Sequence, residues 1–220
     1  MTEILLLKLL HLLLFVYWLG GDLGVFYSSR LLADPQRSPE ARQTAATIML
    51  AVDQAPRLCM ALMLPTGLHL GWRLGIVDLN PAWVAGAWVL GAAWVTSVLV
   101  LHFRHGQAPL VTSLDWWGRI ILIGGLGGLA VYSLVGDGPL RTDWIAWKLL
   151  IFALLITLGL LIRVQLKPFG PAFGRLVSEG ASAEVDQTIA QSLARCRPLV
   201  VMIWVGLLIN AMLGLHLIGI

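Results

Sequence analysis

Five histidines occur in the 220-residue chain, and three of them, His11, His69 and His216, stand near the same end of separate apolar segments. Lys8 and Lys148 share that neighbourhood. An ionisable side chain inside a bilayer is costly unless it is paired, hydrated or ligating, so its default reading is functional. A neutral imidazole is the commonest protein ligand of metals and a standard axial ligand of haem iron. The pattern points to a bound cofactor or metal, with His11 and His69 as preferred ligands and His216 as a substitute or second-site ligand. Lys8 and Lys148 are placed to meet haem propionates or another anionic group. A structural reading stands beside each of these. His216, close to a helix end, also suits interfacial hydrogen bonding, and Lys8 can snorkel outward.

A second polar group consists of Asp22 in the first apolar segment, Asp53 and Arg57 at the entry to the second, and Asp115 and Arg119 at the entry to the fourth. Carboxylates beside arginines in an apolar medium are expected to form structural pairs, because an unpaired charge there is far costlier. The functional alternative is a proton path or polar site using Asp22 and Arg57. Met60, Met63, Met202 and Met212, with Cys59, are soft donors suited to Cu(I), although they are spread along the membrane normal and also serve as packing residues. His102 and His105, beside Arg104, read as a solvated basic cap. No nucleophile–base triad, phosphate-cradling glycine loop or carboxylate-rich metal motif is visible.

The elements that must position these residues follow from composition. The chain is 58% hydrophobic and 12% charged, with a mean hydropathy of +0.84. Those values lie outside the range of soluble domains and inside that of polytopic membrane proteins. A spanning helix needs about 20 apolar residues, and six segments qualify: about 4–27, 57–77, 82–103, 116–136, 143–165 and 198–219. The first lacks a small-residue cleavage site and reads as a retained helix rather than a signal peptide. Residues 30–55 and 171–195 are polar with apolar residues at helical spacing: Ala45, Ile48, Met49 and Val52 in one, Leu176, Val177, Val185, Ile189 and Leu193 in the other. Both are predicted to be amphipathic helices, lying on the membrane surface or extending a spanning helix. The two cysteines, Cys59 and Cys196, lie in different segments and suggest neither a disulfide nor a CxxC metal site.

Arginine and lysine cluster in the 1–2, 3–4 and 5–6 connections (Arg30, Arg37, Arg42, Arg104, Arg119, Arg163, Lys167, Arg175, Arg195, Arg197), whereas the other two carry only Arg73 and Arg141 beside Asp78, Asp137 and Asp143. The positive-inside rule then places the long connections in the cytoplasm and both termini outside. The formal charge of +3 is orientation chemistry, and no nucleic-acid partner is expected. Several of the tryptophans, Trp72, Trp83, Trp116, Trp117, Trp144 and Trp147, fall near segment ends as an interfacial belt. Gly124, Gly125, Gly127 and Gly128 offer a small-residue face for helix packing. An internal echo pairs Lys8-Leu-Leu-His11 with Lys148-Leu-Leu-Ile151, and Gly67-Leu-His69-Leu with Gly214-Leu-His216-Leu, which suggests a parallel repeat about an axis along the membrane normal.

Lys8-Leu-Leu-His11, Trp18-Leu-Gly20 and Arg30-Leu-Leu in the first segment, with Trp144-Ile-Ala-Trp-Lys148-Leu-Leu in the fifth and a basic amphipathic stretch before the last, carry a family likeness. In these the chain resembles the superfamily that includes the copper-resistance protein D family and the small haem-dependent membrane protoporphyrinogen oxidases. The resemblance implies haem-related roles for His11 and Lys148. The combined expectation is an all-α integral membrane protein, a single domain over residues 1–220: a six-transmembrane helix bundle with two cytoplasmic amphipathic helices in the bacterial inner membrane. It would hold haem b in its periplasmic half and serve electron transfer, or oxidise a lipophilic substrate, with membrane lipid, a quinone or a periplasmic redox protein as partners. Copper transport or delivery is the alternative.

Overall fold

A computed structural model describes residues 1–104, 107–136, 138–140 and 142–218. His105, Asp137 and Arg141, which entered the charge and histidine reading above, lie outside the described residues, as does the end of the sixth predicted segment. The chain is 84% helix with no strand among the described residues. Its elements are α1 (Thr2–Leu32), α2 (Pro39–Val52), α3 (Gln54–Arg73), α4 (Pro81–Phe103), α5 (Pro109–Leu134), α6 (Asp143–Gln165), α7 (Phe169–Glu179) and α8 (Ala183–Gly214).

Six helices are long and apolar enough to cross a membrane, with α2 and α3 counted together. Only 17 to 39% of each apolar window is buried inside the protein, so most of that apolar surface needs lipid around it. A helix satisfies its backbone internally, which is what a lipid environment requires. The protein is therefore a multi-pass membrane bundle. With six spans, the start of α1 and the end of α8 share one face, called here the terminal face.

Local chemistry explains the helix starts. Ser38, Asn80 and Ser182 each accept a backbone N–H of the following turn, from Ala41 at 3.3 Å, Ala82 at 2.9 Å and Val185 at 3.3 Å. Prolines open α2, α4 and α5, where a missing N–H costs nothing. At the end of α3, Gly75 takes φ +70° and lets the Ile76 amide turn back to the Gly71 carbonyl at 3.0 Å.

Several predicted boundaries shift. The α1 helix runs on to Leu32, α5 begins at Pro109, and α8 starts at Ala183 and stops at Gly214. Hydropathy marks where a segment becomes polar, but a capped helix continues through the interface while its backbone bonds are satisfied. The amphipathic stretch before the last span is accordingly two elements, α7 and the first turns of α8, separated at Gly180 with φ +89°.

The bulk of the core is formed by residues of α1, α3, α4, α6 and α8, among them Trp18, Met60, Trp94, Leu155, Ile156 and Leu207. A second core lies at the opposite end from the termini. There Leu32, Ala45, Ala46, Met49, Ala172, Leu176, Val185, Ile189 and Leu193 pack together, so the amphipathic helices bury their apolar faces against one another as a cap. Ile48 and Val177 of the same predicted faces remain about half exposed. At the cap's centre Arg42 is fully buried. Its Nε donates to the Leu32 carbonyl at 2.9 Å and its Nη1 to Asp186 Oδ1 at 2.6 Å. One side chain thus caps the end of α1 and ties it to α8.

The predicted repeat appears as an order of elements: spanning, amphipathic and spanning helices recur as α1–α2–α3 and α6–α7–α8, with α1 packed on α3 and α6 on α8. The short echoes do not take matching conformations. Gly67-Leu-His69-Leu is helix interior, whereas Gly214-Leu-His216-Leu runs off the end of α8 and His216 has φ +54°.

Replacing Arg42 by alanine leaves the Leu32 carbonyl and Asp186 without their buried partner. It is expected to cost about 3 kcal/mol. Reversible unfolding in detergent measures it, and a loss below about 1 kcal/mol, as for an exposed pair, would show that the cap does not depend on this contact.

Candidate functional site

The contact between α1 and α3 positions the site, and glycines set its closeness. A Cβ on Gly21 would lie 2.6 Å from Pro56 Cδ, one on Gly24 3.0 Å from Val52 Cγ1, and one on Gly67 3.0 Å from His11 Cε1. The helices are antiparallel. Glu3 therefore meets His69 and Arg73, His11 meets Thr66 and Gly67, and Gly21 meets Pro56.

This register separates residues that looked level in sequence. His69 lies about one helical turn nearer the terminal face than His11. Trp18 meets Phe152 edge-on at 6.2 Å, which aligns the parallel helices α1 and α6. Lys148 then falls about one turn deeper than His11. His216 is exposed beyond the end of α8, its ring 5.0 Å from that of Trp144. Lys8 points away from the bundle and is exposed. The expected single layer is a ladder, with His69 and His216 toward the rim and His11 and Lys148 within.

His11 Nδ1 stands 3.1 Å from Thr66 Oγ1, and Thr66 is fully buried. The Thr66 hydroxyl carries one hydrogen, which it gives to the carbonyls of Leu62 at 2.8 Å and Met63 at 3.0 Å. Those carbonyls can only accept, so the N–H belongs to His11 Nδ1 and donates to Thr66. In the neutral ring Nε2 is left as the lone-pair nitrogen, the form in which imidazole binds a metal.

His69 is differently placed. The Trp88 indole N–H donates to its Nδ1 at 3.3 Å, which leaves the hydrogen of a neutral ring on Nε2, and Nε2 stands 3.3 Å from Glu3 Oε1. Glu3 also takes Arg73 at 2.6 Å. Both ring nitrogens of His69 are engaged in tying α1, α3 and α4 together.

Lys148 Nζ donates to the Asn210 carbonyl at 3.0 Å and lies 6.0 Å from the centre of the Trp144 ring. Asn210 Nδ2 returns a bond to the Lys148 carbonyl at 3.4 Å. The buried Asn210 Oδ1 has no partner. Two ammonium hydrogens of Lys148 remain beyond the one given to Asn210.

The polar residues nearer the cap are mostly paired. Asp115 accepts from Arg119 at 3.0 and 3.2 Å, from Arg163 at 2.6 Å and from Ser97 at 3.2 Å. Arg119 lies over Trp94, 4.9 Å from the ring centre. Asp115 with Arg119 is thus the expected structural pair, enlarged by Ser97 and Arg163 into a network joining α4, α5 and α6. Arg57 pairs with Asp53 on its own helix. Asp22 keeps one buried oxygen, Oδ2, without a partner.

Among the described residues no group of three or more His, Cys, Asp or Glu side chains stands ready to hold a metal ion. Met202 and Met212 are exposed on α8, while Met60 is buried in the core. Both cysteines are free and buried. Haem b fits part of the expected donor set: His11 offers a ligand nitrogen in the right tautomer and Lys148 offers ammonium hydrogens. The paired arrangement of His11 with His69 does not fit, since His69 has no nitrogen to spare and sits at another depth. A shallow groove of about 450 Å³ between α5 and α6, lined by residues including Ile123, Gly127, Trp147, Ile151 and Thr157, is apolar and contains neither histidine.

No family model, curated protein or solved structure matches the chain. Thr66 and Asn210 had not been singled out in the sequence. The signal was there in both: Asn210 is an uncharged amide inside the last apolar run, and Thr66 follows Pro65, which cannot donate to the helix.

Replacing Thr66 by valine removes the acceptor that fixes the His11 tautomer. Nitrogen-15 NMR of histidine-labelled protein should show His11 protonated at Nδ1 in the parent and redistributed in Thr66→Val. An unchanged Nδ1–H signal would mean that another group holds the ring.

Proposed function

We propose that this chain is a haem b-binding membrane protein, with His11 Nε2 as the axial ligand and Lys148 as the counter-charge to a propionate. The observation that carries the reading is the Thr66 contact, which leaves His11 Nε2 unprotonated at a partly buried position. The likeness of the segments around His11 and Lys148 to haem-dependent membrane oxidases supports it, as does their placement within about one helical turn of the same depth. When bound, the haem iron supplies a one-electron couple.

The protein's own groups hold that couple in place. Thr66 orients the imidazole and makes Nε2 a better donor through the Nδ1–H bond. Lys148, anchored on the Asn210 carbonyl, neutralises an anionic group where lipid would otherwise disfavour it. With His69 engaged elsewhere, His11 is the one protein imidazole that would hold the iron in this reading. That favours oxidation of a lipophilic substrate, with a quinone or a periplasmic redox protein as electron partner, over a simple relay.

The orientation belongs to the same proposal: the basic cap, with Arg30, Arg37, Arg175 and Arg195, faces the cytoplasm of a bacterial inner membrane, and both termini are periplasmic. Copper transport or delivery, the other reading of the same histidines, has less support because its nitrogen and sulfur donors are scattered.

An absorption spectrum of the protein purified in detergent tests the proposal. A Soret band and a sharp α-band on reduction are expected. His11→Ala should abolish them, Lys148→Met should weaken haem affinity about tenfold, the worth of one charge-assisted hydrogen bond, and His69→Ala should leave the bands in place. A colourless protein carrying stoichiometric copper would reverse the assignment.

A further inference from the structure

The two Gly-Leu-His-Leu words share their glycine in three dimensions, not their histidine. A Cβ on Gly67 would meet His11 at Cε1 (3.0 Å), Nδ1 (3.6 Å) and Nε2 (3.8 Å), so the imidazole lies against the bare backbone of α3. A Cβ on Gly214 would meet Lys148 Nζ at 2.7 Å. Each glycine thus faces the one chemistry-bearing side chain that the neighbouring helix directs inward.

We propose that Gly67 and Gly214 are positioning residues, whose missing side chains keep open the seats of the His11 imidazole and the Lys148 ammonium. This rests on the assignment of His11 and Lys148 to the functional site. The helix geometry supplies the reason. A Cβ leans toward the N-terminus of its helix, so a methyl at position 214 leans over the Asn210 carbonyl, one turn back, where Lys148 is anchored. A methyl at position 67 presses on the ring edge that carries both the Thr66-bound nitrogen and the free one. Neither glycine is explained by a turn, since Gly67 is mid-helix and both keep negative φ. Glycines elsewhere in the bundle provide the contrast: Gly86, Gly124 and Gly128 have nothing within 4 Å of a Cβ.

The test uses the full chain in nanodiscs, with Gly67→Ala, Gly214→Ala and, as control, Gly124→Ala. Nitrogen-15 NMR of the His11 ring and the Lys148 amine reads the seats whether or not haem is bound, and the absorption spectrum and midpoint potential read them through haem. Gly67→Ala is expected to shift the His11 resonances and the potential, and Gly214→Ala to shift the Lys148 resonance, with Gly124→Ala like the parent. Gly214→Ala should have no further effect on spectrum or potential in a Lys148→Met background. Parent-like resonances in both variants, or a Gly214→Ala effect that persists in the Lys148→Met background, overturn the proposal. A parent protein without a Soret band removes the haem assignment alone, and the nitrogen resonances still decide the seats.

Discussion

The antiparallel contact of α1 with α3 is the constraint on which the rest of the structure depends. Between helices in lipid there is little hydrophobic driving force, so association relies on close packing of small residues and on buried polar bonds. Gly21 against Pro56 and Gly67 against His11 provide the first. The bond from His11 to Thr66 and the close approach of His69 to Glu3 provide the second. Once the helices are in register, every polar residue on either one has its depth and its neighbour. The same device recurs where Gly91 of α4 receives Pro65 of α3 and where Gly206 of α8 receives Leu155 of α6.

Buried charge is managed in two ways. Toward the cap, Asp115 is saturated by Arg119, Arg163 and Ser97, and Arg42 is held by a carbonyl and a carboxylate. The Asp115 network is closed, whereas Arg42 keeps one buried nitrogen, Nη2, without a partner. Toward the terminal face, Lys148 is held by a backbone carbonyl and His11 by a neutral hydroxyl. Neither contact exhausts the side chain's bonding capacity. That difference in satisfaction, more than the identity of the residues, separates the candidate site from the structural pairs.

The glycine-rich face of α5 shows how a sound sequence rule can be misplaced. Gly124, Gly125 and Gly128 were expected to bring helices together, yet none has a neighbour within 4 Å of a Cβ, and Gly127 only touches Ala153 at 4.0 Å. The glycines that do allow close approach are the scattered ones on α1, α3, α4 and α8. A small residue permits contact, but only the partner helix's position decides whether contact occurs.

Composition and hydropathy alone determined the membrane class, the six spans and the amphipathic character of the connections, because burial in lipid is a property of whole segments and needs no partner. The chemistry-bearing candidates His11 and Lys148, and the pairing of Asp115 with Arg119, were legible for a similar reason: a polar residue is conspicuous where it is costly, and residues four apart share a helix face. Tertiary structure alone decided the depths, the His11 tautomer, the engagement of both His69 nitrogens and the buried role of Arg42. Each depends on the register between helices distant in sequence, such as α1 with α3 or α1 with α6, and a shift of one turn there, about 5.4 Å, would assemble a different set of neighbours from the same residues.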